Sequence, residues 1–269
     1  MKILVLGDIH GRKFWRQAIA DNIGNVDKVI FLGDYLDPYE QEIDENQELM
    51  ECNDFYDCQG LLSMLNDIIS LKKNEPDKYV LLTGNHTDSY IWSKFRAATR
   101  TDYRNWEKYH KFFSENLKYF NLVWIENNTI FSHAGISKGW ANRVWEILEF
   151  PADELSSVME IAVMLRDTPL TEFTNDYINI ISDISHYRDG DMFYGSCEWA
   201  DLREHIDKVI DPQNNKFIGK GEDGIFQVFG HTQLKDKLVC DKWVCLDCRE
   251  GFIYDTITHS IENGSNSSL

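Results

Sequence analysis

Cationic residues are scarce: 27 Lys and Arg stand against 45 Asp and Glu, a formal net charge of -18. A surface of that sign repels nucleic-acid duplexes and anionic membranes at long range, so neither is expected as a partner. Long apolar runs are missing as well. None approaches the roughly 18 residues that a bilayer span requires. Ile3-Leu4-Val5-Leu6, directly after Met1-Lys2, is too short for the apolar core of a signal peptide. A cytoplasmic protein is therefore expected. Only one CxxC occurs, Cys245-Leu246-Asp247-Cys248, so a four-cysteine zinc ribbon lacks its second half. The stretch Leu238–Leu246 reads as a strand, which turns residues three apart to opposite faces. The six cysteines are accordingly read as free thiols.

What is present is an ordinary soluble composition, 43% apolar and 27% charged, over 269 residues. That length can bury a sizeable core. The acidic charge is uneven. Residues 29–71 hold eleven Asp or Glu and no Lys or Arg. Asp34 and Asp37 belong to a motif discussed below. The rest, in the segment 40–57, reads as a solvated loop and helix face, with a docking surface for a basic partner as the rival reading.

Short apolar runs alternate with helical spacing through the first half. Ile3–Leu6, Val29–Leu32 and Tyr79–Leu82 read as strands. Arg12–Asn22 and the region of Leu61, Leu62, Leu65, Ile68 and Ile69 read as helices. Helical segments rich in aromatics continue to about Lys118. Val123–Ile125 and Thr129–Phe131 read as paired strands around Asn127-Asn128. Residues 137–224 read as a helical and irregular insertion within a single domain of residues 1–260. Strands return at Ile225–Phe229, Leu238–Leu246 and Phe252–Ile257, and 261–269 reads as a flexible tail. This alternation predicts an α/β layered domain, whose ligands gather at the loops after the strands' carboxyl ends.

Five short motifs sit at such loops: Gly7-Asp8-Ile9-His10-Gly11, Gly33-Asp34-Tyr35-Leu36-Asp37, Gly84-Asn85-His86, Ser132-His133-Ala134-Gly135 and Gly230-His231-Thr232. Each places Asp, Asn or His beside glycine. Carboxylate and amide oxygens with imidazole nitrogens suit divalent manganese, iron or zinc. The expected division gives Asp8, His10 and Asp34 to one metal, and Asp34, Asn85, His133 and His231 to a second, with Asp34 bridging. Two divalent ions outweigh two carboxylates, so the centre would attract a phosphate dianion in an acidic protein. A two-metal site stabilises both entering and leaving oxygens and lowers the pKa of bound water. His86, beside Asn85, is placed to protonate a leaving alkoxide, with Asp37 orienting it.

In order and spacing, these motifs resemble the calcineurin-like metallophosphoesterase superfamily, and within it the phosphoprotein-phosphatase and diadenosine-tetraphosphatase branch. The resemblance spans 2–257. It implies a four-layer αββα sandwich, the two-metal ligand set, and the His86–Asp37 pair. Where that branch carries a phosphate-binding Arg after the second Asp, this chain has Pro38. The segment from Tyr187 to Arg203 is similar to one that carries such an Arg in bacterial members, which nominates Arg188; Arg12 is the second candidate. Arg96, Arg100 and Arg104 recur every four residues and read as a solvated helix face. The leading expectation is a two-metal phosphatase acting on a phosphate monoester. The alternatives are a nucleotide phosphohydrolase of the diadenosine-tetraphosphatase type and a non-catalytic metal-stabilised binding module.

Overall fold

Apolar runs of four or five residues make the strands, and amphipathic runs make the helices between them. The computed structural model describes residues 1–39, 41–43, 49–51, 57–148, 150, 157–208 and 218–264. The first half contains β1 (Lys2–Leu6), α1 (Phe14–Asn22), β2 (Lys28–Phe31), β3 (Gln41–Ile43), β4 (Leu49–Glu51), α2 (Cys58–Asn74), β5 (Tyr79–Leu82), α3 (Asn85–Ile91) and α4 (Trp106–Asn116). Next come β6 (Phe120–Asn121), β7 (Val123–Glu126), β8 (Thr129–Ser132), α5 (Lys138–Ile147), α6 (Val158–Asp167) and α7 (Asn175–Ile181). The chain continues with β9 (Ile206–Lys208), β10 (Ile218–Gly219), β11 (Phe226–Phe229), β12 (Leu238–Val239), β13 (Trp243–Cys245), β14 (Gly251–Asp255) and β15 (Ile261–Asn263).

Two sheets carry the fold. The first runs β15-β14-β1-β2-β5-β6, the second β12-β13-β11-β8-β7. Strands β1, β2, β5 and β6 are parallel, as are β8, β11 and β13. The alternation of side chains sets the layers. From the first sheet, Ile3, Val5, Ile30, Leu32, Val80 and Leu82 point into a core shared with Phe131, Phe226, Val228, Val244 and Leu246 of the second. Their neighbours Leu4, Leu6, Val29, Phe31, Tyr79 and Leu81 point the other way, onto α1 and α2 residues such as Trp15, Leu65 and Ile68. Both faces are buried, which is why these strands read as continuous apolar runs. Ile130 packs with Trp140, Val144 and Ile161 of α5 and α6. The result is the expected layering, two sheets flanked by helices.

Local chemistry sets the helix ends. Asp57 caps α2 by accepting from Gly60 N at 3.0 Å, and Ser157 with Glu160 forms a capping box on α6. Most of the acidic segment 40–57 lies outside the described residues. Its described parts, Gln41–Ile43 and Leu49–Glu51, pair as antiparallel strands rather than lying on a helix face.

Two expectations change. Leu238–Leu246 is not one strand, because the chain turns at Asp241-Lys242 and pairs Leu238 with Cys245. The turn lets the Cys240 sulfur accept from Lys242 N at 3.4 Å, and the five described cysteines are free. Ile261–Asn263, read as part of a flexible tail, is an edge strand on β14. The buried Asn22 amide anchors it by donating to Gly264 O. Residues 265–269 lie outside the described residues.

Phe131 is fully buried between the sheets, against the Tyr254 ring at 5.8 Å. Truncation to Ala should cost about 3–5 kcal/mol of stability by urea unfolding. Ile257, 77% exposed, should tolerate Ala within about 0.5 kcal/mol.

Candidate metal centre

Parallel strands within each sheet end at one edge, and there the five motifs meet. Asp8 follows β1, Asp34 follows β2, Asn85 follows β5, His133 follows β8 and His231 follows β11. Backbone bonds tie the loops together. Asp34 O accepts from Ile9 N and His10 N at 3.0 and 2.7 Å, and Gly230 N donates to His133 O at 2.7 Å. Two glycines allow close approach. A Cβ on Gly84 would stand 2.3 Å from Asp34 Oδ1, and one on Gly230 would stand 2.7 Å from Asp8 Oδ1. His10, Asp34, Asp37 and His231 have φ of 44°, 44°, 60° and 64°. These left-handed conformations are unfavourable for side-chain-bearing residues, and here they set three candidate ligands and the Asp37 carboxylate in the motif loops.

Orientation of the ligands is held from behind. His133 Nδ1 donates to Leu32 O at 2.9 Å, and His10 Nδ1 donates to Leu36 O at 2.7 Å. Each bond leaves the Nε2 lone pair facing inward. His133 Nε2 then meets Asn85 Oδ1 at 3.0 Å, His231 Nδ1 at 3.1 Å and Asp34 Oδ2 at 3.3 Å. His10 Nε2 lies 3.8 Å from Asp8 Oδ2 and 3.9 Å from Asp34 Oδ2. His133 Nε2 thus faces three acceptor atoms at once, and among the described residues His231 Nε2 is buried with no hydrogen-bond partner. Converging lone pairs of this kind fit a cation.

Two triads have ligand atoms within 4.8 Å of one another: His10, Asp34 and His86, and Asp34, His133 and His231. Asp34 belongs to both. Asp8 stands beside the first triad rather than in it. Its Oδ1 accepts from His231 N at 3.1 Å. His86, read from the sequence as a proton donor rather than a ligand, reaches the His10–Asp34 cluster.

Burial raises the Asp8 carboxyl, and the Asp34 charge adds to the rise. For Asp34 burial acts the same way, but His133 and His86 outweigh it and hold the carboxyl well below its usual range. Burial lowers His133, yet Asp34 and Asp8 outweigh it and push the imidazole well above its ordinary value. Burial, then the charge of His86, drives His10 well down; burial, then Arg188, does the same to His231. Behind the ligands, burial pushes the Glu198 carboxyl up to about 7 while Thr83 donates to it at 2.8 Å.

The His86–Asp37 contact is present, Nδ1 to Oδ2 at 2.6 Å. The Tyr90 hydroxyl donates to the other Asp37 oxygen and accepts from Asp102 N at 2.7 Å. A cavity of about 330 Å³ is lined by Asp8, His10, Asp34, Asn85, His86 and His231, together with Tyr39, Arg100, Arg188 and Trp199. Arg188 thus reaches the cavity. Its Nη2 donates to Thr232 Oγ1 at 2.6 Å, and its Nε pairs with Asp201 at 2.9 Å. Arg12 lies to one side. It donates to Asp8 O at 3.4 Å and stacks over Tyr39 at 5.4 Å.

The sequence reading missed Arg100 and Tyr39. Arg96, Arg100 and Arg104 are not on one helix face, because only Ser93–Phe95 is helical there, as a single 3-10 turn, before the chain enters turns. Arg96 stacks over Trp106, while Arg100 lines the cavity. Their four-residue spacing is coincidental, and no local signal separates the three.

A lone-pair cluster of this kind at the joined ends of an α/β sandwich marks a metal-dependent hydrolase. The chain belongs to the calcineurin-like phosphoesterase family, whose sequence model matches residues 1–234. It is a metal-dependent phosphoric ester hydrolase. Among solved structures, it is similar to a protein serine/threonine phosphatase from Saccharomyces cerevisiae with similarity to human phosphatase PP5. That likeness has a TM-score of 0.45 and 13% identity, over 94% of this chain and 71% of the other. A metallophosphoesterase from Sphaerobacter thermophilus gives a TM-score of 0.28 and 17% identity, over 50% of this chain and 47% of the other. No curated protein matches. Among the described residues, no helix is long and apolar enough to cross a membrane.

Asp34→Asn should weaken metal affinity by more than the roughly 10–100-fold typical of outer-shell changes. Metal content by plasma mass spectrometry after gel filtration reads this, with the far-ultraviolet circular dichroism unchanged.

Proposed function

We propose that this chain is a two-metal phosphatase that hydrolyses phosphate monoesters, with His86 as general acid. The observation that carries the reading is the 2.6 Å His86–Asp37 contact beside the converged ligands of one cavity. Asp8, His10 and Asp34 would hold one ion, and Asp34, Asn85, His133 and His231 the other; manganese, iron or zinc fits these oxygen and nitrogen donors. When bound, the ions supply positive charge to the phosphoryl oxygens and make hydroxide available near neutral pH.

The chain's own groups supply the rest. Asp37 fixes the His86 ring through Nδ1, leaving Nε2 to carry a proton to the departing alkoxide oxygen. Tyr90 keeps Asp37 in place from its other oxygen. His86 N donates to Asp34 Oδ1 at 2.9 Å, so ligand and acid are spaced by one backbone bond. Arg188, braced by Asp201 and Thr232, is positioned to hold a phosphoryl oxygen. The leaving group departs as an alcohol, with the proton from His86.

A second cavity favours a related reading. It has a volume of about 250 Å³ and shares Arg100 with the first, with Asp37, Tyr103, Tyr109 and Arg104 among its lining. Such a space suits a bulky leaving group, as in a dinucleoside polyphosphate. A panel of aryl phosphate, phosphopeptide, dinucleoside tetraphosphate and bis-aryl phosphate separates the readings.

His86→Ala should lower kcat for aryl phosphate about 10²–10⁴-fold with metal content retained. Steady-state kinetics on metal-replete protein measures it, and unchanged kcat would remove His86 from the proton transfer.

A further inference from the structure

Arg100 has no role in the mechanism above, yet it lines the metal cavity beside Asp34 and His86. Two contacts fix its guanidinium. Nη2 donates to Asp37 O at 2.9 Å, and Cζ lies 3.9 Å from the centre of the Tyr39 ring. Tyr39 in turn meets the His10 ring edge-on at 5.4 Å. The stack holds the plane of the guanidinium while leaving its N–H edge available. Five N–H groups are offered, and one is used at Asp37. Among the described residues no ion pair neutralises Arg100, whereas Arg188 carries Asp201 at 2.9 Å. An exposed, oriented guanidinium that no described residue neutralises, at the wall of this cavity, has the charge and fork geometry that a phosphoryl group accepts.

We infer that Arg100 binds a non-bridging phosphoryl oxygen of the substrate, and that it favours dianionic phosphate monoesters over monoanionic diesters. Attraction to a fixed cation scales with the charge of the ligand, so a dianion gains about twice what a monoanion gains at the same distance. This rests on the reading of the site as a phosphatase. Arg100 comes from the turns after the 3-10 helix Ser93–Phe95, not from the motif loops. It reaches the site through Tyr39 and Asp37, both set by the second motif loop.

The test uses metal-replete protein and four variants, Arg100→Gln, Arg100→Lys, Tyr39→Leu and Lys111→Gln. The Kd for inorganic phosphate is measured by calorimetry, and kcat and KM are measured for an aryl phosphate and a bis-aryl phosphate. Arg100→Gln should raise the phosphate Kd and the aryl phosphate KM on the order of tenfold, the scale of one hydrogen bond to a charged group. The bis-aryl phosphate KM should rise by a smaller factor. Arg100→Lys should recover part of the loss, and Tyr39→Leu should move the same values in the same direction. Lys111→Gln removes the same charge from a side chain 75% exposed on α4 and should leave them unchanged. Wild-type phosphate affinity in a folded Arg100→Gln protein overturns the inference. Equal losses for both esters overturn the selectivity. If the unsubstituted protein turns over neither ester, the phosphatase reading fails and the selectivity falls with it, while phosphate affinity still decides whether Arg100 binds the anion.

Discussion

Two carboxylates, Asp8 and Asp34, are buried together and answered mainly by imidazoles, and the rest of the site is arranged around that constraint. Such a cluster is costly in a low-dielectric interior unless positive charge joins it. His133 stands at its centre, with its outer nitrogen committed to Leu32 O and its inner nitrogen aimed at three acceptors. That arrangement ties the two sheets, because Leu32 follows β2 and His133 follows β8. One imidazole thus joins the ends of the two sheets at the candidate metal centre.

The backbone accepts unfavourable conformations to build this cluster. Four site residues other than glycine have positive φ. On an unbroken strand Asp8 and His10, two residues apart, would share a face but stand roughly 6.6 Å apart, too far to meet at one point. The left-handed turns at His10 and Asp34 end the strands and bring their side chains inward. The two-sheet core, filled by residues such as Val5, Ile30, Phe131 and Val228, supplies the rigidity that holds these turns.

The two arginines of the cavity are placed on a different principle from the candidate metal ligands. The ligands come from strand ends, which are rigid, whereas Arg188 and Arg100 come from short turns and irregular chain. Arg188 is held by a carboxylate and a hydroxyl, Arg100 by an aromatic face and a carbonyl. In the position where the related branch carries an arginine, Pro38 stands, and the neighbouring Tyr39 serves as a platform for Arg100. A guanidinium has thus reached the cavity from a distant part of the chain.

The amino-acid sequence alone determined the alternating strands and helices, the five motif loops and the His86–Asp37 pairing. Each is local: a run of four apolar residues, or Asp and His beside glycine, carries its meaning within a few positions. Asp37 and His86 are 49 residues apart, but each sits in a motif whose place after a strand was legible. The turn within Leu238–Leu246 and the edge strand Ile261–Asn263 were not legible, because pairing with β13 and β14 decides them rather than propensity. Tertiary structure alone decided which arginine faces the cavity. Arg96, Arg100 and Arg104 have the same chemistry and even spacing. Only the path of the turns between α3 and α4 sends Arg96 to Trp106 and Arg100 to Tyr39, because side-chain direction in irregular chain is set by packing partners far away in sequence.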